Sequence, residues 1–292
     1  MWVWHFEAYS TAEARNQLIE FCKVEKLSVI FVQVHYELDP TTQIPLAMRN
    51  PQAYGALIEQ ANQAGITVEA LEGDPHWALK DQRETWWQKF KVIMDWYDRQ
   101  PSQRRFSGLH LDVEPYLLDG FDTPEKWSIL AQYVDYMNEV KIALQKRAPK
   151  LIFAADIPFW YDNILNADEY SNHCIVEFNG AKKPVSQHIQ DICDYIGIMS
   201  YRQYALGENS ITQLCQGELT YAEKIGRKIF PGVEMSPDQD PPTISFYGTN
   251  VALFREQVGL VEKTFGQRRG FGGVLVHYYN SYRDFLKSAP AE

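Results

Sequence analysis

Residues 106–122 read FSGLHLDVEPYLLDGFD. The apolar run from Phe106 to Val113 has the composition of a strand and carries Asp112 and Glu114 at its end, ahead of a Pro115–Tyr116 turn. Side chains alternate faces along a strand, so Asp112 and Glu114 point the same way, and His110 shares their face. Two acids at the mouth of an apolar strand are a poor structural device, because an unpaired buried carboxylate is costly. They are a serviceable chemical one, because one acid can hold its neighbour near the raised pKa that general acid work needs.

The same unit, an apolar β-rich run followed by helix-like sequence, recurs on both sides of this stretch. The runs are Trp2 to Phe6, Leu27 to Val34, Ile66 to Leu71, Gly108 to Val113, Leu151 to Asp156, Tyr195 to Ser200, Lys228 to Val233 and Gly273 to His277. Pro231 weakens the seventh. Helix starts are signalled at Ser10-Thr11 with Glu13, at Asn50-Pro51 and at Thr123-Pro124-Glu125, and Gly65 marks a stop. Further helical patterns fall near 81–99, 184–193, 209–226 and 250–266, with a short amphipathic end at 281–286. Near-continuous apolar strands separated by helices indicate a parallel sheet. About eight such units in this length predict one α/β domain over residues 1–292, a closed (β/α)8 TIM barrel. A doubly wound open sheet is the rival, but it carries a glycine-rich phosphate loop after its first strand, and HFEAYST has none. The glycines at 270, 272 and 273 precede the last run and read as a turn into it. The stretch from Trp160 to Lys183 is longer than a plain connection and is expected to shape the cleft, and Pro237 to Pro242 reads as a loop.

Composition narrows the function classes. The chain has 292 residues and a net charge of −10, which argues against a nucleic-acid backbone as partner. Its 4 cysteines are widely spaced with no CxxC pair, so they read as buried free thiols rather than a zinc or redox motif. No basic leader precedes an apolar stretch and no run approaches about 18 apolar residues, so a protein with no membrane span is expected, cytoplasmic or else secreted with its leader trimmed. Aromatic residues make up 14 %, with 8 Trp and 17 Tyr, enough for a rich core or for a cleft lined with flat faces. Trp86, Trp87 and Trp96, in a helical stretch, read as packing residues.

In such a barrel the chemistry sits at the C-terminal ends of the strands. Those ends collect polar and aromatic residues: His5, Glu7 and Tyr9; His35, Tyr36 and Glu37; Glu72, Asp74, His76 and Trp77; Asp112, Glu114 and Tyr116; Asp156, Phe159, Trp160 and Tyr161; Ser200, Tyr201, Arg202 and Tyr204; Glu234 and Met235; His277, Tyr278, Tyr279 and Asn280. Any one of them reads most simply as an exposed loop residue; acids and rings at every strand end suggest a ring around a pocket. Sugars offer C–H faces to aromatic rings and hydroxyls to carboxylates, so the mixture suits a carbohydrate.

At this point the chain resembles the (β/α)-barrel glycoside hydrolases, and most closely the family 18 chitinase-like barrels. SGLHLDVE keeps the Gly108, Asp112 and Glu114 of that family's fourth strand and departs at Ser107 and His110, where the family has Asp. IMSYR keeps Met199 and Tyr201 and has Arg202 in place of Asp. GGVLVH keeps Gly272 and Gly273 and has His277 in place of Trp. The resemblance implies Glu114 as the acid that protonates the glycosidic oxygen. It also implies Asp112 as the orienter of a substrate acetamido group that attacks the anomeric carbon, and Tyr201 as a further hold on that group. Glu114-Pro115 is also similar to the Asn-Glu-Pro end of strand four in the large clan of retaining barrel glycosidases, with Val113 in place of the Asn. That likeness implies Glu234 as nucleophile, about 5–5.5 Å from the acid.

The expected substrate-binding residues are Glu7, His35, Glu37, Glu72, His76, Trp77, His110, Tyr116, Asp156, Trp160, Arg202, His277 and Tyr279, and no cofactor is expected. Two other classes stand beside the hydrolase. One is a barrel that binds carbohydrate without cleaving it, supported by the departures from the family motifs. The other is a metal-dependent hydrolase or lyase using His5, Glu7, His35, Glu37, His76 or His110. No His-x-His pair ends the first strand and no His-Glu-x-x-His occurs, so these histidines read as hydrogen-bonded cleft residues with no metal.

Overall fold

The computed structural model describes residues 1–162, 174–237 and 239–288. In chain order the strands are β1 (Trp2–Val3), β2 (Val29–Gln33), β3 (Tyr36–Leu38), β4 (Pro45–Met48), β5 (Thr67–Glu72), β6 (Gly108–Leu111), β7 (Ile152–Pro158), β8 (Ile175–Phe178), β9 (Ala181–Pro184), β10 (Tyr195–Met199), β11 (Lys228–Glu234) and β12 (Leu275–His277). The helices are α1 (Ala12–Val24), α2 (Pro51–Gln63), α3 (Glu84–Arg99), α4 (Lys126–Arg147), α5 (Val185–Ile192), α6 (Ile211–Leu214), α7 (Gln216–Ile225), α8 (Val251–Phe265) and α9 (Tyr279–Ser288).

An 8-stranded parallel sheet runs in the order β1-β2-β5-β6-β7-β10-β11-β12. It curls into a (β/α)8 barrel in which successive strands are joined through helices. At the seam between β12 and β1, side chains make the join. The Trp4 indole N–H donates to His277 Nε2 at 2.8 Å, and the Trp2 ring meets His277 edge-on at 5.3 Å. The eight expected strands are these eight, and Pro231 is accommodated within β11, paired with Ile198. Two antiparallel hairpins, β3–β4 and β8–β9, were absent from the sequence reading. Their strands are too short for a period to show, and β8–β9 lies within the long connection expected to shape the cleft. Part of that connection, 163–173, lies outside the described residues, as does residue 238 of the Pro237–Pro242 loop.

Local chemistry accounts for the helix ends. Thr11 caps α1 by accepting from the Ala14 amide at 3.1 Å, and Asn250 caps α8 by accepting from Leu253 at 2.7 Å. Asn50 precedes Pro51 as expected but adopts φ 46° and makes no side-chain cap. The pattern over 209–226 is two helices, α6 and α7, meeting at Cys215.

The main core lies between the barrel and its helices, and a smaller cluster of Trp2, Phe31, Leu71 and Leu275 plugs the lumen. Trp4, Val29, Tyr195, Phe230 and Tyr278 pack against this cluster, and the buried acids Glu69 and Asp156 take part of the remaining space. A Cβ on Gly197 would stand 2.1 Å from Asp156 Oδ1, and one on Gly108 would stand 2.7 Å from the Glu69 carboxyl carbon. These glycines make the space that buried acids occupy. The four cysteines are buried free thiols, and no helix of the described residues is long and apolar enough to cross a membrane.

Candidate active site

β6 delivers Asp112 and Glu114 to the C-terminal mouth of the barrel. The Asp112 amide donates to the Glu72 carbonyl at 2.8 Å, and Gly73 permits this approach, since a Cβ there would fall 2.0 Å from the Asp112 carbonyl oxygen. Asp112 Oδ1 is buried and has no hydrogen-bond partner. Burial, then the charges of Asp156 and Glu114, push the Asp112 carboxyl well above the carboxylate range, against the pull of His110. Glu114 is half-buried and also raised, first by burial and then by Asp156, while the hydrogen bond from Tyr116 and the proximity of His277 oppose the rise. The Tyr116 hydroxyl donates to Glu114 Oε1. Its ring lies edge-on to Trp160 at 5.5 Å, and Trp160 meets Phe121 at 5.9 Å, so an aromatic cluster backs the acid.

On the opposite side stand β10, β11 and β12. Burial holds the Tyr201 hydroxyl well above its usual pKa, reinforced by Glu234, Asp112, Asp156 and Glu114, so four acids act on one phenol. Its ring stacks on His277 at 6.0 Å and 21°. Glu234 has both oxygens engaged. Oε1 accepts from the Met235 amide at 2.7 Å and from the Ser236 amide and hydroxyl, each at 2.6 Å; Oε2 faces His277 Nδ1 at 2.7 Å. Burial alone would raise this acid, but His277 and Ser236 outweigh it and hold Glu234 below the usual range. Because the Trp4 indole can only donate, His277 Nε2 accepts and Nδ1 carries the proton toward Glu234. The His277–Tyr278 peptide is cis.

Other residues expected around a pocket have different surroundings. His110 is 0 % exposed, stacked on Phe31 at 3.9 Å, and Asp156 is 1 % exposed. Both therefore belong to the closed lumen beneath the mouth rather than to a cleft wall. Glu72 is buried on the outer face of β5, accepting from Tyr36 at 2.5 Å and from Lys89 at 3.0 Å. Trp77 is packed against Trp86 at 5.0 Å with Lys89 over its face, and Tyr279 is buried against Phe21 at 5.2 Å. The expectation that these two rings face a ligand does not hold, because each lies among the helices. Arg202 is tied to Asn209 Oδ1 at 2.9 Å and lies over the Phe159 ring, and His35 contacts the Trp4 carbonyl at 3.0 Å. Glu7 and Glu37 are exposed on the rim. His76 is exposed, oriented by Asp74 at 2.9 Å, and lines a separate cavity of about 640 Å³ with Leu117, Glu125 and Gln132.

Sequence reasoning missed Glu69, Tyr195, Trp2 and Trp4, the lumen partners of these groups. One signal existed for Glu69: an acid inside the apolar run TVEALE, on the same strand face as Leu71. Among the described residues no cluster of metal-ligating side chains is formed.

No family model matches the chain, and no curated protein matches it by sequence. Solved structures do match in fold. An endo-β-1,4-mannanase from Thermotoga petrophila superposes with a TM-score of 0.62 at 10 % identity, over 94 % of this chain and 66 % of its own. A β-mannanase from the blue mussel Mytilus edulis gives 0.59 at 11 % identity, over 98 % and 88 %. The Bacillus cereus spore cortex-lytic enzyme SleL gives 0.53 at 12 % identity, over 99 % and 73 %. This chain thus spans just under two thirds of the Thermotoga mannanase, and what it shares with all three proteins at these identities is the (β/α)8 barrel.

Proposed function

We propose that this barrel is a glycoside hydrolase that cleaves by the substrate-assisted route, with Glu114 as general acid. The observation that carries the reading is the contrast between the acids at the mouth. Asp112 and Glu114 are both held toward the protonated form, and Asp112 has an oxygen with no partner. Glu234 has both oxygens saturated and is held ionised. A carboxyl held above the usual carboxylate range suits an acid; a carboxylate gripped by four hydrogen bonds suits a structural anchor. That the superposing structures include two mannanases and a cortex-lytic enzyme agrees with a carbohydrate substrate.

In this reading Glu114 gives its proton to the glycosidic oxygen as the C–O bond breaks. The oxygen of the substrate's acetamido group attacks the anomeric carbon, with Asp112 and the Tyr201 hydroxyl holding that group. Water then opens the cyclic intermediate, and the Glu114 carboxylate recovers a proton from it. The substrate class is a glycan bearing an N-acetylated amino sugar.

The test compares hydrolysis of β-linked N-acetylglucosamine oligosaccharides with their de-N-acetylated counterparts. Cleavage of the first alone, abolished in Glu114→Gln with folding and sugar binding retained, supports the reading. Equal cleavage of both, or turnover lost in Glu234→Gln but kept in Asp112→Asn, replaces it with the two-carboxylate route. Binding with no cleavage of either by the parent leaves a carbohydrate-binding barrel.

A further inference from the structure

We infer that Asp112 and Asp156 share a single proton, and that a buried His110 imidazolium decides that Asp112 carries it. The inference rests on the proposed role of Asp112 and adds two positioning residues that touch no substrate.

The geometry assigns the protons. Leu111 pairs with Ala155 across β6 and β7, so the residues that follow, Asp112 and Asp156, are neighbours, and the charge of Asp156 acts on Asp112. Each has one buried oxygen, Oδ1, with no hydrogen-bond partner. Two such carboxylates side by side do not both ionise. Asp156 Oδ2 accepts from the Trp2 indole at 2.8 Å and lies 2.7 Å from His110 Nε2. At the other side of the ring, Nδ1 is 3.2 Å from the Tyr195 hydroxyl, and that hydroxyl donates its only proton to Glu69 Oε2 at 2.7 Å. The Tyr195 oxygen must therefore accept from Nδ1–H. With Nε2–H directed at Asp156, both ring nitrogens carry protons and His110 is a cation. Burial disfavours that cation, but Asp156 and Glu69 outweigh burial and raise the imidazole to about 9. Asp156, which has the cation and an indole donor, keeps the negative charge, and Asp112, which has neither, keeps the proton.

The groups facing this pair come from several elements. Glu69 of β5 and Tyr195 of β10 face His110. Glu114 acts on Asp112, Asp112 acts on Tyr201, Tyr116 and the α4 residue Tyr133, and Asp156 acts on the Met1 amino group. Among the described residues, only His110 combines positive charge with a direct hydrogen bond to the pair. A neutral Asp112 offers an acetamido group a donor as well as an acceptor, whereas a charged one only accepts.

The experiment is nuclear magnetic resonance titration of the unmodified protein, with ¹⁵N-labelled histidine and ¹³C-carboxyl-labelled aspartate. The expected result is a doubly protonated His110 throughout pH 6 to 8, with Asp156 ionised and Asp112 protonated at pH 7. In Asp156→Asn, Asp112 falls by at least one pH unit. In His110→Gln, the ascending limb of kcat/KM moves up by a unit or more, a tenfold loss at the acidic end. A singly protonated His110 at pH 7, or an ionised Asp112 there, overturns the inference. The spectra are read without turnover, so the proton assignment stands or falls apart from the hydrolase reading.

Discussion

Tyr116 shows how one hydroxyl tunes the acid beside it. Its hydrogen bond to Glu114 stabilises the ionised form and works against burial, which stabilises the protonated form. Tyr116→Phe removes the opposing influence, so Glu114 retains its proton to higher pH. The descending limb of the kcat/KM profile is expected to move up by about half a unit to one unit, with the fold intact, as a pH–rate series will show. A limb that stays in place or moves down would detach Glu114 from the proton donated. Glu114→Gln removes the proton altogether, and a loss of at least about 10²-fold in kcat is expected from steady-state assay.

Among the elements, the ends of β11, β12 and β1 depend on one chain of contacts: Ser236 to Glu234, Glu234 to His277, His277 to Trp4. It spans the seam that side chains close. Glu234→Gln puts an amide N–H₂ against His277 Nδ1–H, or forces the tautomer that sets Nε2–H against the Trp4 indole. Either way two donors face each other, and a loss of about 1–3 kcal/mol is expected in chemical denaturation at pH 7. The pH dependence has a definite sign. Glu234 is held below its unfolded pKa, so its contribution is present above the ordinary carboxylate range and is lost as pH falls through the folded value. The gap between parent and variant therefore narrows in acid. An equal gap at pH 7 and pH 3 would rule out this account.

For the molecule as a whole, the buried imidazolium makes stability depend on alkaline pH. His110 is raised from 6.5 to about 9 in the folded state. Its contribution is fully present below the unfolded value and declines as pH rises, until it is gone above the folded value. From pH 6.5 to above pH 9 it amounts to about 3 kcal/mol, to order of magnitude. Equilibrium unfolding across that window is expected to show the decline in the parent and a flatter profile in His110→Gln. Parallel profiles would mean that His110 is neutral in the folded protein.

The eight barrel strands and their order were legible along the chain, because apolar runs of strand length between capped helices leave few arrangements open. The two acids at 112 and 114 were legible as the close of an apolar run, but alternation was expected to carry through Val113, whereas β6 ends at Leu111, before either acid. The hairpins were not legible, being too short to display a period. Nor was the division of the polar strand-end residues among mouth, lumen and outer shell. Trp77 and Tyr279 follow their strands as Trp160 does, yet they pack between helices while Trp160 stands beside Tyr116. Which way such a ring turns depends on the helix lying over it. By itself the sequence determined an α/β barrel with two acids following its fourth strand. Only the tertiary structure decided that Asp156 and His110 lie beneath that pair and that Glu234 is bound on every side, because protonation and hydrogen bonding are set by neighbours brought from distant strands.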